Sequence, residues 1–270
     1  MAFWSPGSAG VSTIVANTGT LLALRSTQRV VVVDLNLTAP DVALLLGLFR
    51  ERVPQSSCLS TILPMLAARN LTQEALSAVL LPVPGVPNLQ VLGGLYRPLA
   101  LSQIHAEHVE LLLSLLQDMF DLILVDLPSP IDYTPTYVTL EMADQAMWIV
   151  SGHVADRFHL RRYLTQLDEL GLSHLQGELI LNRPGPATAR QIEFEFSLPV
   201  RAEVPYCGAL AQITESGGIP VLTDGNQAEL VAFRKGIDSV ARLLDPALPV
   251  GRAAAAAAAA AASLAAKGRA

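Results

Sequence analysis

The chain has 270 residues, of which 51% are hydrophobic and 16% charged, with a formal net charge of -6. That is enough apolar material to bury a central sheet on both faces, while the acidic balance excludes a general affinity for nucleic acid, which needs a surplus of Lys and Arg on one face. Cys58 and Cys207 stand far apart without CxxC or Cys/His ligand spacing, which excludes a disulfide framework and a zinc site and leaves ordinary buried thiols.

The opening MAFWSPGSAG has no basic leader region and no long apolar run. No segment supplies the ~20 uninterrupted apolar residues of a membrane span, so a cytoplasmic location is expected. Short apolar runs read as buried parallel strands at Ala2 to Trp4, Arg29 to Asp34, Leu89 to Leu92, Leu122 to Asp126, Ala146 to Val150, Glu178 to Leu181 and Val200 to Val204. Helical periodicity occupies Ser12 to Leu24, Ser102 to Phe120, Ala155 to Leu170 and Gln227 to Leu244. The alternation predicts an α/β fold with a mostly parallel central sheet and helices on both faces. Leu81 to Asn88, LPVPGVPN, packs prolines too densely for a regular element and reads as a surface turn. After Asp245 the composition shifts to PALPVGR and then ten consecutive alanines, Ala253 to Ala262. One domain over 1–245 is therefore expected, followed by a Pro/Ala-rich low-complexity tail over 246–270. That tail lacks the bulky apolar face of a membrane-binding helix and reads as a solvated extension.

The first strand, AFW, runs into SPGSAGVST and then a helix. Gly7, Ser8, Ala9, Gly10, Val11, Ser12 and Thr13 form a candidate phosphate-binding loop. Successive inward amides and the positive end of the following helix bind an anion without a charged side chain, and a hydroxyl at the helix start coordinates Mg²⁺. Small residues at a strand-to-helix turn also serve any tight connection. The loop gains meaning from VVVVDLNL after one helix, LILVDLPSP at a later strand end and LILNRP at a third.

In this order the motifs resemble the ParA/MinD branch of deviant P-loop ATPases, and most of all its CpaE/TadZ pilus-assembly localisation subgroup. The resemblance covers about Ala2 to Leu244 and includes PDVALLLGL at Pro40 to Leu48 and NLQVLGGLYRP at Asn88 to Pro98. It implies a P-loop NTPase fold that binds ATP or ADP with Mg²⁺, the metal lying at Ser12, Asp34 and Asp126. Thr13 takes the next phosphate-contacting position. Asn182 and Arg183 fall on the adenine-side motif with Pro205 nearby, although a strand-end cap also suits Asn182.

The family's loop reads KGGxGKTT, and two departures stand out. Val11 occupies the place of the phosphate-loop lysine, and Pro6 that of the signature lysine that reaches across a dimer. Lys235 and Lys267 are the only lysines in the chain. Asn36 replaces the acid that positions or activates the attacking water, so no catalytic residue is assigned. Pro128, Ser129 and Pro130 resemble a stiffened switch region.

The resemblance therefore implies a pseudo-ATPase that acts in positioning or assembling a cellular machine such as a pilus. Alternatives are a slow, partner-stimulated ATPase switch in partitioning or septum placement, and a scaffold that binds no nucleotide. An iron–sulfur carrier of this fold needs paired cysteines that are missing here. The implied partners are a second copy, in a nucleotide-sandwich homodimer, and other proteins of the machine, which place the chain at the periphery of a membrane-bound assembly. His105, His108, His153, His159 and His174 form no metal-ligand set and read as solvated. Arg157, Arg161 and Arg162 form a small basic cluster on a predicted helix.

Overall fold

The computed structural model describes residues 1–7, 9–48, 57–95, 104–185 and 187–249. Ser8 of the candidate loop, positions 96–98 of NLQVLGGLYRP and 250–270 of the expected tail lie outside the described residues. Eight strands form one sheet: β1 (Ala2–Trp4), β2 (Val30–Asp34), β3 (Leu81–Pro82), β4 (Leu89–Leu92), β5 (Leu122–Asp126), β6 (Ala146–Val150), β7 (Glu178–Asn182) and β8 (Val200–Val204). Their order is β3-β4-β2-β5-β1-β6-β7-β8. Every neighbouring pair is parallel except β3 with β4.

The helices are α1 (Val11–Arg25), α2 (Val42–Leu45), α3 (Leu59–Ala67), α4 (Gln73–Val79), α5 (Ala106–Met119), α6 (Thr134–Met142), α7 (Val154–Glu169), α8 (Ala189–Phe196), α9 (Leu210–Glu215) and α10 (Ala228–Leu244). Because successive strand side chains alternate, β2 feeds two cores. Val31 and Val33 pack with Trp4, Leu112 and Leu116 on the α5 face. Val30 and Val32 pack with Phe3, Ile14, Phe233 and Ile237 on the α1 and α10 face. Helices thus cover both faces, as the sequence predicts. Gly19 lets α1 approach β2 closely, since a Cβ there would stand 2.8 Å from the Val32 side chain.

Two expectations are corrected. Leu81–Pro82, inside the segment read as a turn, pairs antiparallel with Gln90 and Val91. The prolines do not forbid this, because an edge strand needs no ladder donor on its outer side. His108 is buried rather than solvated, at 4% exposure. Its Nδ1 accepts the His105 backbone N–H at 3.3 Å, in a capping interaction at the start of α5. Cys58 and Cys207 are both buried, as expected. Among the described residues no helix is long and apolar enough to cross a membrane.

The topology also sets the site. In the middle of the sheet, β2, β5 and β1 end side by side, with Asp34 registered against Asp126 and Phe3 against Asp126. A parallel sheet presents its ligand crevice at the carboxyl ends of its strands.

Candidate functional site

Trp4 ends β1, and the chain turns into α1 through Gly10, whose φ of 84° and ψ of 39° are left-handed. Gly10 caps the helix without a side chain, and the first turn holds no acidic residue. The earliest amide to find a carbonyl is that of Ile14, which donates to Gly10 at 3.2 Å. The N–H groups of Val11, Ser12 and Thr13 have no acceptor among the described residues, so the positive end of α1 is left open. They border a cleft of about 470 Å³ lined by Gly7, Gly10, Val11, Ser12 and Thr13, by Asn36, Thr38 and Asp41, and by Asp126 to Pro130.

The loop backbone is pinned from several elements. Gly7 N–H donates to Ser5 Oγ at 3.2 Å, and its carbonyl accepts Ser129 Oγ at 3.0 Å. The Ser129 carbonyl in turn accepts the Trp4 indole N–H at 2.9 Å. Asn182 Nδ2 donates to the Ala9 carbonyl at 2.6 Å. Both glycines are closely packed: a Cβ on Gly10 would lie 2.8 Å from Asn182 Nδ2, and one on Gly7 2.6 Å from Asp156 Oδ1, so a side chain at either would have to displace its neighbour.

Two acids lie under the cleft. Ser12 Oγ donates to Asp126 Oδ2 at 2.6 Å, while the buried Asp126 Oδ1 has no hydrogen-bond partner. Asp34 Oδ1 accepts the Asn36 N–H at 3.1 Å and Oδ2 the Val42 N–H at 3.0 Å. Burial pushes the Asp34 carboxyl well above the usual range, with the neighbouring Asp126 adding to the rise. Burial likewise lifts Asp126 to about 7, opposed by the Ser12 hydrogen bond and reinforced by Asp41.

This donor set fits a partly hydrated Mg²⁺. The ion takes hard oxygen ligands and keeps several waters beside a phosphate, and Asp126 Oδ1 with the Ser12 hydroxyl supplies such oxygens. Asp34 has both oxygens committed to backbone amides and supports the pair from behind. Among the described residues no group of three or more His, Cys, Asp or Glu is arranged for a metal. A bound ion would therefore depend on phosphate to complete its shell.

The two positions at which the resemblance implies lysines are both buried. Val11 is 9% exposed and packs with the α1-side cluster, and Pro6 is buried. No lysine or arginine lines the cleft among the described residues. Asn36 does line it, its Oδ1 accepting the Thr38 hydroxyl at 3.2 Å. Asn182, Arg183 and Pro205 sit together at the ends of β7 and β8, where Arg183 N–H donates to the Val204 carbonyl at 2.8 Å, and none of them lines the cleft. The Asn182 Nδ2 is committed to the loop carbonyl of Ala9, a long-range tether rather than a local strand-end cap. Sequence reasoning gives no role to Ser5 or Asp41, and gives Ser129 only a place in the switch-like region. Ser129 lies within the switch-like PSP, and Asp41 within PDVALLLGL, so motif position is the signal that pointed nearest to them.

No protein-family model and no curated protein matches the sequence. Solved structures do. A ParA family ATPase from Chlorobium tepidum superposes with a TM-score of 0.74 at 22% identity, over 90% of this chain and 98% of that one. MinD in the MinC:MinD cell division complex of Aquifex aeolicus gives 0.71 at 21% identity, over 93% and 98%. The septum site-determining protein MinD of Pyrococcus horikoshii, complexed with Mg-ADP, gives 0.70 at 20% identity, over 91% and 96%. The structural neighbours are ParA/MinD family ATPases, and the chain has their P-loop NTPase fold.

Proposed function

We propose that the chain is a ParA/MinD-like nucleotide-binding protein of CpaE/TadZ type, whose loop grips the phosphates of ATP or ADP with Mg²⁺ without turning them over efficiently. The observation that carries this reading is the cleft itself. Among the described residues the amides of Val11, Ser12 and Thr13 have no acceptor, they line the same space as Asp126, and no Lys or Arg lines it. A neighbour of the same fold is complexed with Mg-ADP.

The loop amides and the open end of α1 bind phosphate oxygens. Mg²⁺, when bound at Ser12 and Asp126, neutralises phosphate charge. Each missing lysine removes a charge-assisted contact of about 1.5–3 kcal/mol, which weakens binding and leaves the amides in place. Hydrolysis suffers more, because charge builds on the transferred phosphoryl group and loss of one preorganised donor costs about 10²- to 10³-fold in rate. Asn36 orients a water and cannot take its proton. Asn182, Arg183 and Pro205, outside the phosphate cleft at the ends of β7 and β8, are assigned to the adenine side by the family resemblance, with the Asn182 Nδ2 holding the loop. The domain over 1–245 then serves as a nucleotide-responsive contact, with a second copy or with proteins of a machine such as a pilus, at the periphery of a membrane.

A nucleotide-free scaffold is the second reading, favoured by the Ser12–Asp126 hydrogen bond, which already satisfies one cation ligand with another. Steady-state phosphate release with and without Mg²⁺ tests the first reading. Turnover near background is expected, and turnover that Asp126→Ala abolishes would overturn the proposal.

A further inference from the structure

Away from this cleft, α7 buries only Leu160 and Leu167 of its 16 residues, and α8 buries only Ile192. An apolar surplus remains outside: Val154 is 76% exposed, Phe158 59% and Phe194 91%. Single exposed apolar residues are ordinary, but Phe194 also lines a groove of about 630 Å³ together with Arg157, Arg161, Arg190, Gln191 and Glu195. Glu195 is held by both Arg157 and Arg161, at 2.6 and 2.7 Å. One carboxylate thus serves two guanidinium groups. Arg190 has no acidic partner among the described residues, and the Arg161 side chain is 62% exposed. Next to them, Arg162 stacks over the Phe158 ring at 5.9 Å. A local excess of positive charge therefore sits beside exposed aromatics in a chain whose formal net charge is -6.

We propose that the α7–α8 groove docks an acidic segment of a partner protein, its carboxylates pairing with Arg161 and Arg190 and an apolar side chain covering Phe194. Guanidinium groups offer planar paired donors that match carboxylates, and Arg with aromatic residues makes up the energetic centre of many protein interfaces. Charge complementarity selects an acidic occupant. Glu195 in the lining, beside arginines it partly neutralises, opposes a nucleic-acid backbone, which needs cations in series. The groove lies outside the phosphate-binding cleft and shares no lining residue with it, so this inference stands independently of nucleotide binding.

The test uses the full chain and fluorescence anisotropy with three labelled probes: a short peptide of alternating Glu and Leu, the same peptide with Lys for Glu, and a single-stranded oligonucleotide. The Glu/Leu peptide is expected to bind, and Arg161→Glu, Arg190→Glu and Phe194→Ser each to weaken it by about tenfold or more. Arg201→Ala, on the exposed edge of β8, should leave binding unchanged. All four positions are exposed, so an unaltered thermal midpoint serves as the folding control. Preference for the Lys peptide or the oligonucleotide, or Glu/Leu binding indifferent to the groove substitutions, overturns the proposal. So does self-association that Phe194→Ser abolishes, since a second copy would then be the occupant.

Discussion

The Ser12 hydroxyl donates a 2.6 Å hydrogen bond to Asp126 Oδ2, tying the first turn of α1 to the last residue of β5. Among the described residues it is the only side-chain donor to a carboxyl group that is fully buried, with the other oxygen unpaired. Ser12→Ala leaves that carboxylate without a donor at a cost of about 1–3 kcal/mol. The expected result is a lower denaturation midpoint at neutral pH in metal-free buffer. The loss should shrink in mild acid, where Asp126 is protonated and its burial is cheaper.

The pH dependence of folding follows from the same pair. Asp126 is raised from 3.8 to about 7, and Asp34 shifts in the same direction. Between those values the folded state holds protons that the unfolded chain has released, so stability falls as pH rises. Below about 4 this contribution is fully present, and above about 7 it is lost. Metal-free unfolding across that window should show the slope, and Asp126→Asn should flatten it.

Gly10→Ala tests the loop geometry. Its left-handed backbone costs a non-glycine residue about 1–2 kcal/mol, and the new Cβ would meet Asn182 Nδ2 at 2.8 Å. Destabilisation is expected, with a smaller increment in the Asn182→Ala background, where the collision disappears and only the dihedral cost remains. A double-mutant cycle measured by chemical denaturation reads the difference.

Much of this architecture is legible because parallel strands buried on both faces are written as uninterrupted apolar runs. VVVVD and LILVD end in the acids that the sheet then registers side by side. The loop is legible because it is contiguous. What escaped depends on pairings distant in sequence. Leu81–Pro82 becomes a strand only through Gln90 and Val91. The tether from Asn182 to Ala9 spans 173 positions. α6 was missed because it buries Pro135, Thr136, Val138, Thr139 and Leu140, leaving no single apolar stripe to detect. His108 reads as solvated from its helical face, which does not register the contact by which its Nδ1 accepts the His105 N–H at the start of α5.

Restoring the lysines addresses chemistry more than fold. Val11 borders both the core and the cleft, so a lysine there has an apolar bed for its stem and open space for its ammonium. Val11→Lys should tighten ATP binding by about tenfold or more, measured by calorimetry. Pro6 is buried, so Pro6→Lys alone should cost stability. Combined with Val11→Lys it should raise phosphate release above that of the natural chain.

The central claim is that amides alone, with Ser12 and Asp126, still hold a magnesium nucleotide. Calorimetric titration of the natural chain with Mg-ATP, repeated with Asp126→Ala, tests it most directly. The account predicts a measurable heat of binding that is weakened in the variant and is accompanied by no phosphate release over the titration. Absence of binding to the natural chain, in a protein whose fold is verified by its cooperative unfolding, would contradict it.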